Sequence, residues 1–184
     1  MLAANDAEAK ARHVLREKEA RMKVLVGYMS QTGNTKKVAE AIFSQIQADK
    51  ELKSLEEIKS LEGYDLAFIG FPLQGFAPAN DAKVFLEQNS AGKKLALFVT
   101  HAVPEGFEEL PGWLDKCKEA AAAGTLVGLF DCQGELAEPI AEVLKQSGDP
   151  KMVGFGNMRP ATMGQPDESR LERARAFARD MMAK

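Results

Sequence analysis

The sequence predicts a doubly wound α/β domain with a parallel sheet. Short apolar runs at Val24–Met29, Asp65–Gly70, Leu95–Val99 and Thr125–Phe130 have the length and continuity of strands buried on both faces. Stretches with apolar residues at helical spacing separate them, which implies right-handed crossovers and helices on both sides of the sheet. The turn after the first run is polar, carries a glycine and opens directly onto a helical pattern.

Residues 3–21 are rich in Ala, Glu, Lys and Arg and lack Gly and Pro, while Leu2, Ala9, Val14 and Leu15 are too sparse for a strong apolar stripe. Residues 1–21 are therefore expected to be an exposed helical extension, with the domain itself spanning 22–184. After the first strand, Val38, Ala41, Ile42 and Ile46 recur at helical spacing. An edge strand is expected near Leu52–Ile58, a helix at Asn80–Gln88, and a helix around Leu114, Cys117 and Ala121 that starts near Pro111 and ends at Gly124. Helices are also expected at Glu135–Gln146 and Asp167–Met182. A five-stranded chain needs only one of these two, and the surplus has no assigned place. The Gly- and Pro-rich segment between them, Ser147–Pro166, reads as an irregular loop serving as a lid or a partner surface.

Length and composition bound the function. A chain of 184 residues fits one domain of the usual size, about 100–200 residues. With 45% hydrophobic and 28% charged residues it is too apolar to be disordered. The longest apolar runs are strand-sized and the N-terminus is charged, so neither a signal peptide nor a membrane span is expected, and the cytoplasm is the expected location. A formal charge of -3 without a basic stripe argues against nucleic acid as a partner. The two cysteines, Cys117 and Cys132, supply neither a disulfide framework nor a zinc site, and no metal is expected.

The informative segment is Ser30, Gln31, Thr32, Gly33, Asn34 and Thr35. Backbone N–H groups at a helix start lack partners and carry positive partial charge, so a glycine-containing polar turn there is an anion site. Ser30, Thr32, Asn34 and Thr35 can add side-chain donors, neutralising a terminal monophosphate without a Lys or Arg in the turn. Other phosphate loops fail on spacing: five residues separate Gly27 from Gly33 where a Walker loop has four, Asn34 stands in place of its lysine, and no GxGxxG is present.

The stretch from Met22 through Thr35 resembles the opening of flavodoxins, and a weaker similarity extends through Arg179. The resemblance implies the strand order 2-1-3-4-5, with FMN at the switch point between strands 1 and 3 and its phosphate held by the loop from Ser30 to Thr35. The turns after Gly70 and Val99 then flank the same ligand. Pro72, Leu73, Gln74, Gly75 and Phe76 offer one apolar wall, and Thr100, His101, Ala102 and Val103 the other. The resemblance further implies that the Gln74–Gly75 peptide meets flavin N5, a role in which glycine turns without Cβ strain. Where many flavodoxins stack a Tyr or Trp on the ring, these loops offer Gln74, Phe76 and His101, and Trp113 lies on a later helix.

The expected function is electron transfer between protein redox partners through bound FMN. No separate catalytic residue is expected. A phosphate-accepting receiver domain is excluded because Ser30-Gln31 and Gly70-Phe71-Pro72 stand where its carboxylates belong. An FMN-dependent reductase using NAD(P)H on a quinone or other small acceptor is the alternative, and an FMN-less scaffold is the third reading.

Overall fold

In the computed structural model, which describes residues 21–184, five parallel strands form the sheet: β1 (Lys23–Tyr28), β2 (Asp49–Ser54), β3 (Leu66–Gln74), β5 (Lys94–His101) and β6 (Thr125–Gln133). A two-residue strand, β4 (Ala77–Pro78), folds back antiparallel on β3. The sheet order is β2-β1-β3-β5-β6, the expected 2-1-3-4-5 among the parallel strands. The N-terminal helix expected before Met22 lies, Arg21 apart, outside the described residues.

Alternation along the strands sends neighbouring side chains to opposite faces and builds two cores. Val24, Val26, Phe68 and Phe98 meet α1 (Asn34–Gln45) and α7 (Glu168–Met182) through Val38, Ile42, Ala174 and Ala178. Leu25, Ile69, Leu97 and Val99 pack on the other face against α2 (Asn80–Asn89) and α3 (Leu110–Ala120), through Ala82, Leu86 and Cys117. Each fully buried Val, Leu, Ile or Phe contributes about 1.5–3 kcal/mol, so these layers hold the rims of the sheet in place.

Three expectations are corrected. The edge strand lies earlier than Leu52–Ile58, because β2 (DKELKS) pairs on one side only and tolerates charge. It stops where Glu57 accepts hydrogen bonds from the backbone N–H and hydroxyl of Ser54, both at 2.9 Å, and the chain turns through a 3₁₀ segment, Leu55–Glu57. The Leu114–Ala121 helix ends at Ala120, before Gly124. The third concerns the segment from Ser147 to Pro166, which is helical: α5 (Pro150–Asn157) and α6 (Arg159–Thr162) follow α4 (Glu138–Lys145). Asp149 caps α5 by accepting from the Lys151 N–H at 2.8 Å, and Pro150 occupies its first turn. Gly156 is there for packing. A Cβ on it would sit 2.7 Å from the Ala141 carbonyl, so glycine lets α5 cross α4 closely.

Candidate functional site

The carboxyl ends of β1, β3 and β5 open into one cavity of about 500 Å³, within the usual range for small-molecule sites. All the expected site residues line it except Gly33, whose backbone forms the turn beneath. Gly33 adopts φ +91° and its N–H donates to Ser30 Oγ at 3.1 Å. No side chain caps α1, which leaves its first-turn amides to a ligand.

The phosphate loop holds itself differently from the expectation that every polar side chain in it serves an anion. The Asn34 amide turns aside and donates to the Glu135 carbonyl at 2.8 Å. Thr35 Oγ1 lies 2.8 Å from Thr100 Oγ1, both buried. Ser30 and Thr32, with the backbone amides, remain as donors toward the cavity.

On the apolar side, β3 and β4 make a two-residue hairpin at Gly75-Phe76, with φ +57° and +65°. Both central residues are left-handed, as a type I′ turn requires. Phenylalanine adopts this conformation at a cost, which its packing offsets. Its ring stacks at a tilt on Trp113, centroids 4.7 Å apart, with Phe107 and Phe155 completing the cluster. At the rim Gln74 Nε2 donates to Gln31 Oε1 at 3.0 Å, bridging the first two loops.

The third loop is clamped. Glu105 accepts from the Gln133 N–H, from Arg170 Nε at 2.9 Å and from an Arg173 guanidinium nitrogen at 2.7 Å. His101 is buried between the Val103 carbonyl and Asp131. Cys132, at the end of β6, faces the core; burial pushes its thiol up to about 12, as burial also does for Cys117. Neither is a poised nucleophile.

Sequence reasoning missed the fourth wall. Gly134 to Ala137 run beside the phosphate loop, and α4 and α5 roof the cavity with Ile140, Leu144, Met152 and Phe155. This answers where the surplus helix goes: α7 packs on α1, while the α4–α5 pair covers the site. Ile140 and Leu144, four residues apart, were the available signal.

A polar, uncapped helix start thus faces an apolar slot at the switch point of this topology. Residues 25–179 match the flavodoxin domain. The chain belongs to the flavodoxin family. It is 33% identical over 174 residues to the flavodoxin-like domain-containing protein BilS of Clostridioides difficile strain CD3, covering 89% of this chain and 98% of that protein. A flavodoxin from the domain Archaea shares the fold at 19% identity and a TM-score of 0.55, over 88% of this chain and 96% of that one. Oxidised flavodoxin 2 from Bacillus cereus does so at 21% identity and a TM-score of 0.57, over 86% and 97%.

Proposed function

We propose that the chain binds one FMN non-covalently in this cavity and carries electrons between protein redox partners. The observation that carries the reading is the convergence of the uncapped α1 start and two apolar loops on one cavity of about 500 Å³. The phosphate fits the amides of α1 together with Ser30 and Thr32; the ring fits between Pro72–Phe76 and Thr100–Val103. Bound FMN supplies the capacity to accept and release electrons. The chain supplies the rest: the Thr35–Thr100 contact ties the first loop to the third, the Gln74–Gln31 contact ties the second loop to the first, the Glu105 clamp anchors the third, and the α4–α5 roof lays apolar side chains along the slot.

The family likeness supports FMN, and the lining supports a carrier over the NAD(P)H reductase. Among the described residues that line the cavity there is no Lys or Arg to hold a dinucleotide diphosphate. No described helix is long and apolar enough to cross a membrane. Residues 22–184 form the FMN domain, and deletion of 1–21 is expected to leave FMN binding intact.

The test is to release the ligand of the purified protein by heat and identify it by mass, expecting FMN. Recovery of FAD or a nucleoside triphosphate in stoichiometric amount, with no affinity for FMN, refutes the assignment. Riboflavin is expected to bind far more weakly, since each hydrogen bond to a charged phosphate oxygen contributes about 1.5–3 kcal/mol. Equal binding of the two removes the phosphate loop from the site.

A further inference from the structure

We propose that His101 and Asp131 form a proton-loaded pair that keeps a positive charge on the imidazole beside the cavity, where it balances the negative charge gained by the flavin on reduction. The proposal rests on the FMN reading of the cavity. His101 ends β5 and lines the cavity, yet its side chain is only 2% exposed. Its Nδ1 lies 2.9 Å from the Val103 carbonyl oxygen. A carbonyl only accepts, so Nδ1 carries a hydrogen and donates it. Nε2 lies 3.1 Å from Asp131 Oδ2. A ring protonated at Nδ1 alone would set a bare lone pair against a carboxylate, so this contact needs one hydrogen between them.

The setting decides which atom keeps that hydrogen. Asp131 is 29% exposed and lines a second cavity together with Lys118, so a carboxylate there keeps contact with water. The ring is shut from water but has an acceptor on each nitrogen, which is what a buried imidazolium requires. The arrangement is therefore Nε2–H donating to Asp131. The charged groups near the pair are Glu105 after β5 with Arg170 and Arg173 of α7, Asp115 and Lys118 of α3 on the cavity that Asp131 lines, and Glu135 on the cavity that His101 lines, where it accepts from the Gly164 N–H at 3.0 Å. Glu105 is engaged by both arginines, and Asp115 pairs with Lys118 at 2.8 Å. Neither takes the proton's place between His101 and Asp131.

Both ring nitrogens being engaged, His101 makes no hydrogen bond into the cavity and acts through its charge, with no bond made or broken. Asp131 is a positioning residue: it holds the ring and its second proton. Asp131 itself lines the second cavity, not the one His101 lines.

The experiment has two readouts. The first is a long-range ¹H–¹⁵N spectrum of the labelled full chain at pH 7, with the His101 signals identified by their loss in His101→Gln. Both His101 nitrogens are expected to be protonated in the parent, and Nε2 to lose its proton in Asp131→Asn. The second is the midpoint potential of bound FMN against pH. The parent is expected to fall more steeply as pH rises, because loss of the pair's proton leaves Asp131 uncompensated. Asp131→Asn is expected to lie more negative at neutral pH, and His101→Gln, which keeps the carboxylate without the ring, more negative still. Both variants should lack the added slope. An unprotonated Nε2 in the parent, or unchanged potential and slope in both variants that bind FMN, overturns the proposal. Failure of the parent to bind FMN, measured beforehand by flavin fluorescence, overturns the cofactor reading instead.

Discussion

The hydroxyls of Thr35 and Thr100 meet at 2.8 Å in a buried contact that ties the start of α1 to the end of β5, 65 residues apart. Thr35 is 1% exposed and Thr100 3%. Neither hydroxyl can turn to water for a substitute. Replacing Thr35 with Val keeps the shape and strands the Thr100 hydroxyl, at an expected cost of about 1–3 kcal/mol. Urea unfolding should show a lower midpoint at unchanged slope, and FMN affinity should fall with it. Thr35→Ser should restore both. A Val variant with the parent's midpoint would show that the contact contributes nothing.

Gly75 is expected to be intolerant of β-branched residues for backbone reasons alone. Its φ is +57°, and a Cβ placed on it meets no atom within 4 Å, so crowding plays no part. A left-handed conformation costs an ordinary L-residue about 1–2 kcal/mol, and more for a branched one. Gly75→Val should therefore distort the hairpin and weaken FMN binding, whereas Gly75→Asn, which tolerates this region, should bind nearly as the parent does. Equal losses in Val and Asn would point to a side-chain clash with the ligand and away from φ.

The parts of the fold carried by local signals were legible in the sequence. The apolar runs of β1, β3, β5 and β6 and the Ser30–Thr35 turn declare themselves over a few residues. The charged strand β2 did not, since its place comes from pairing with β1 and not from burying its own side chains. The roof was hidden for a related reason. Pro150, Gly154 and Gly156 look like loop residues, yet Pro150 starts α5 and Gly156 makes room for α4, facts that exist only once the helices are packed. The Asn34–Glu135 and Thr35–Thr100 contacts, each spanning more than 60 residues, leave no periodic trace at all.

Acid should weaken the β1–β2 edge through Glu51. Its carboxylate is bound by Lys53, Lys23 and Tyr64, which hold it down to about 2 from its usual value near 4.5. A lowered carboxylate adds stability above its unfolded pKa, and that stability is lost as pH falls toward the folded value. The window thus runs from about pH 4.5 to about pH 2. The group is solvent-facing, so the effect should be modest and salt-sensitive. Urea midpoints measured across this window should fall more steeply for the parent than for Glu51→Gln; parallel curves would remove Glu51 from the acid response.

The choice between carrier and reductase turns on what a nicotinamide needs and the cavity lacks. Hydride transfer requires the nicotinamide to stack on the flavin with its reacting carbon within about 3–3.5 Å, held there by binding energy from the rest of the dinucleotide. The diphosphate of that dinucleotide is usually gripped by guanidinium or ammonium groups. Here Glu135 and His101 are the ionisable side chains among the described residues lining the cavity, and the α4–α5 roof lays Ile140, Leu144 and Met152 over it. In anaerobic stopped-flow, NADH and NADPH are expected to bleach the bound flavin slowly and without saturation, while dithionite bleaches it to completion. A Lys introduced at Leu144 gives the roof a cation, and it should raise the NADPH rate if the missing charge is the obstacle. Fast, saturable bleaching of the parent by either nicotinamide would overturn the carrier reading and establish the reductase.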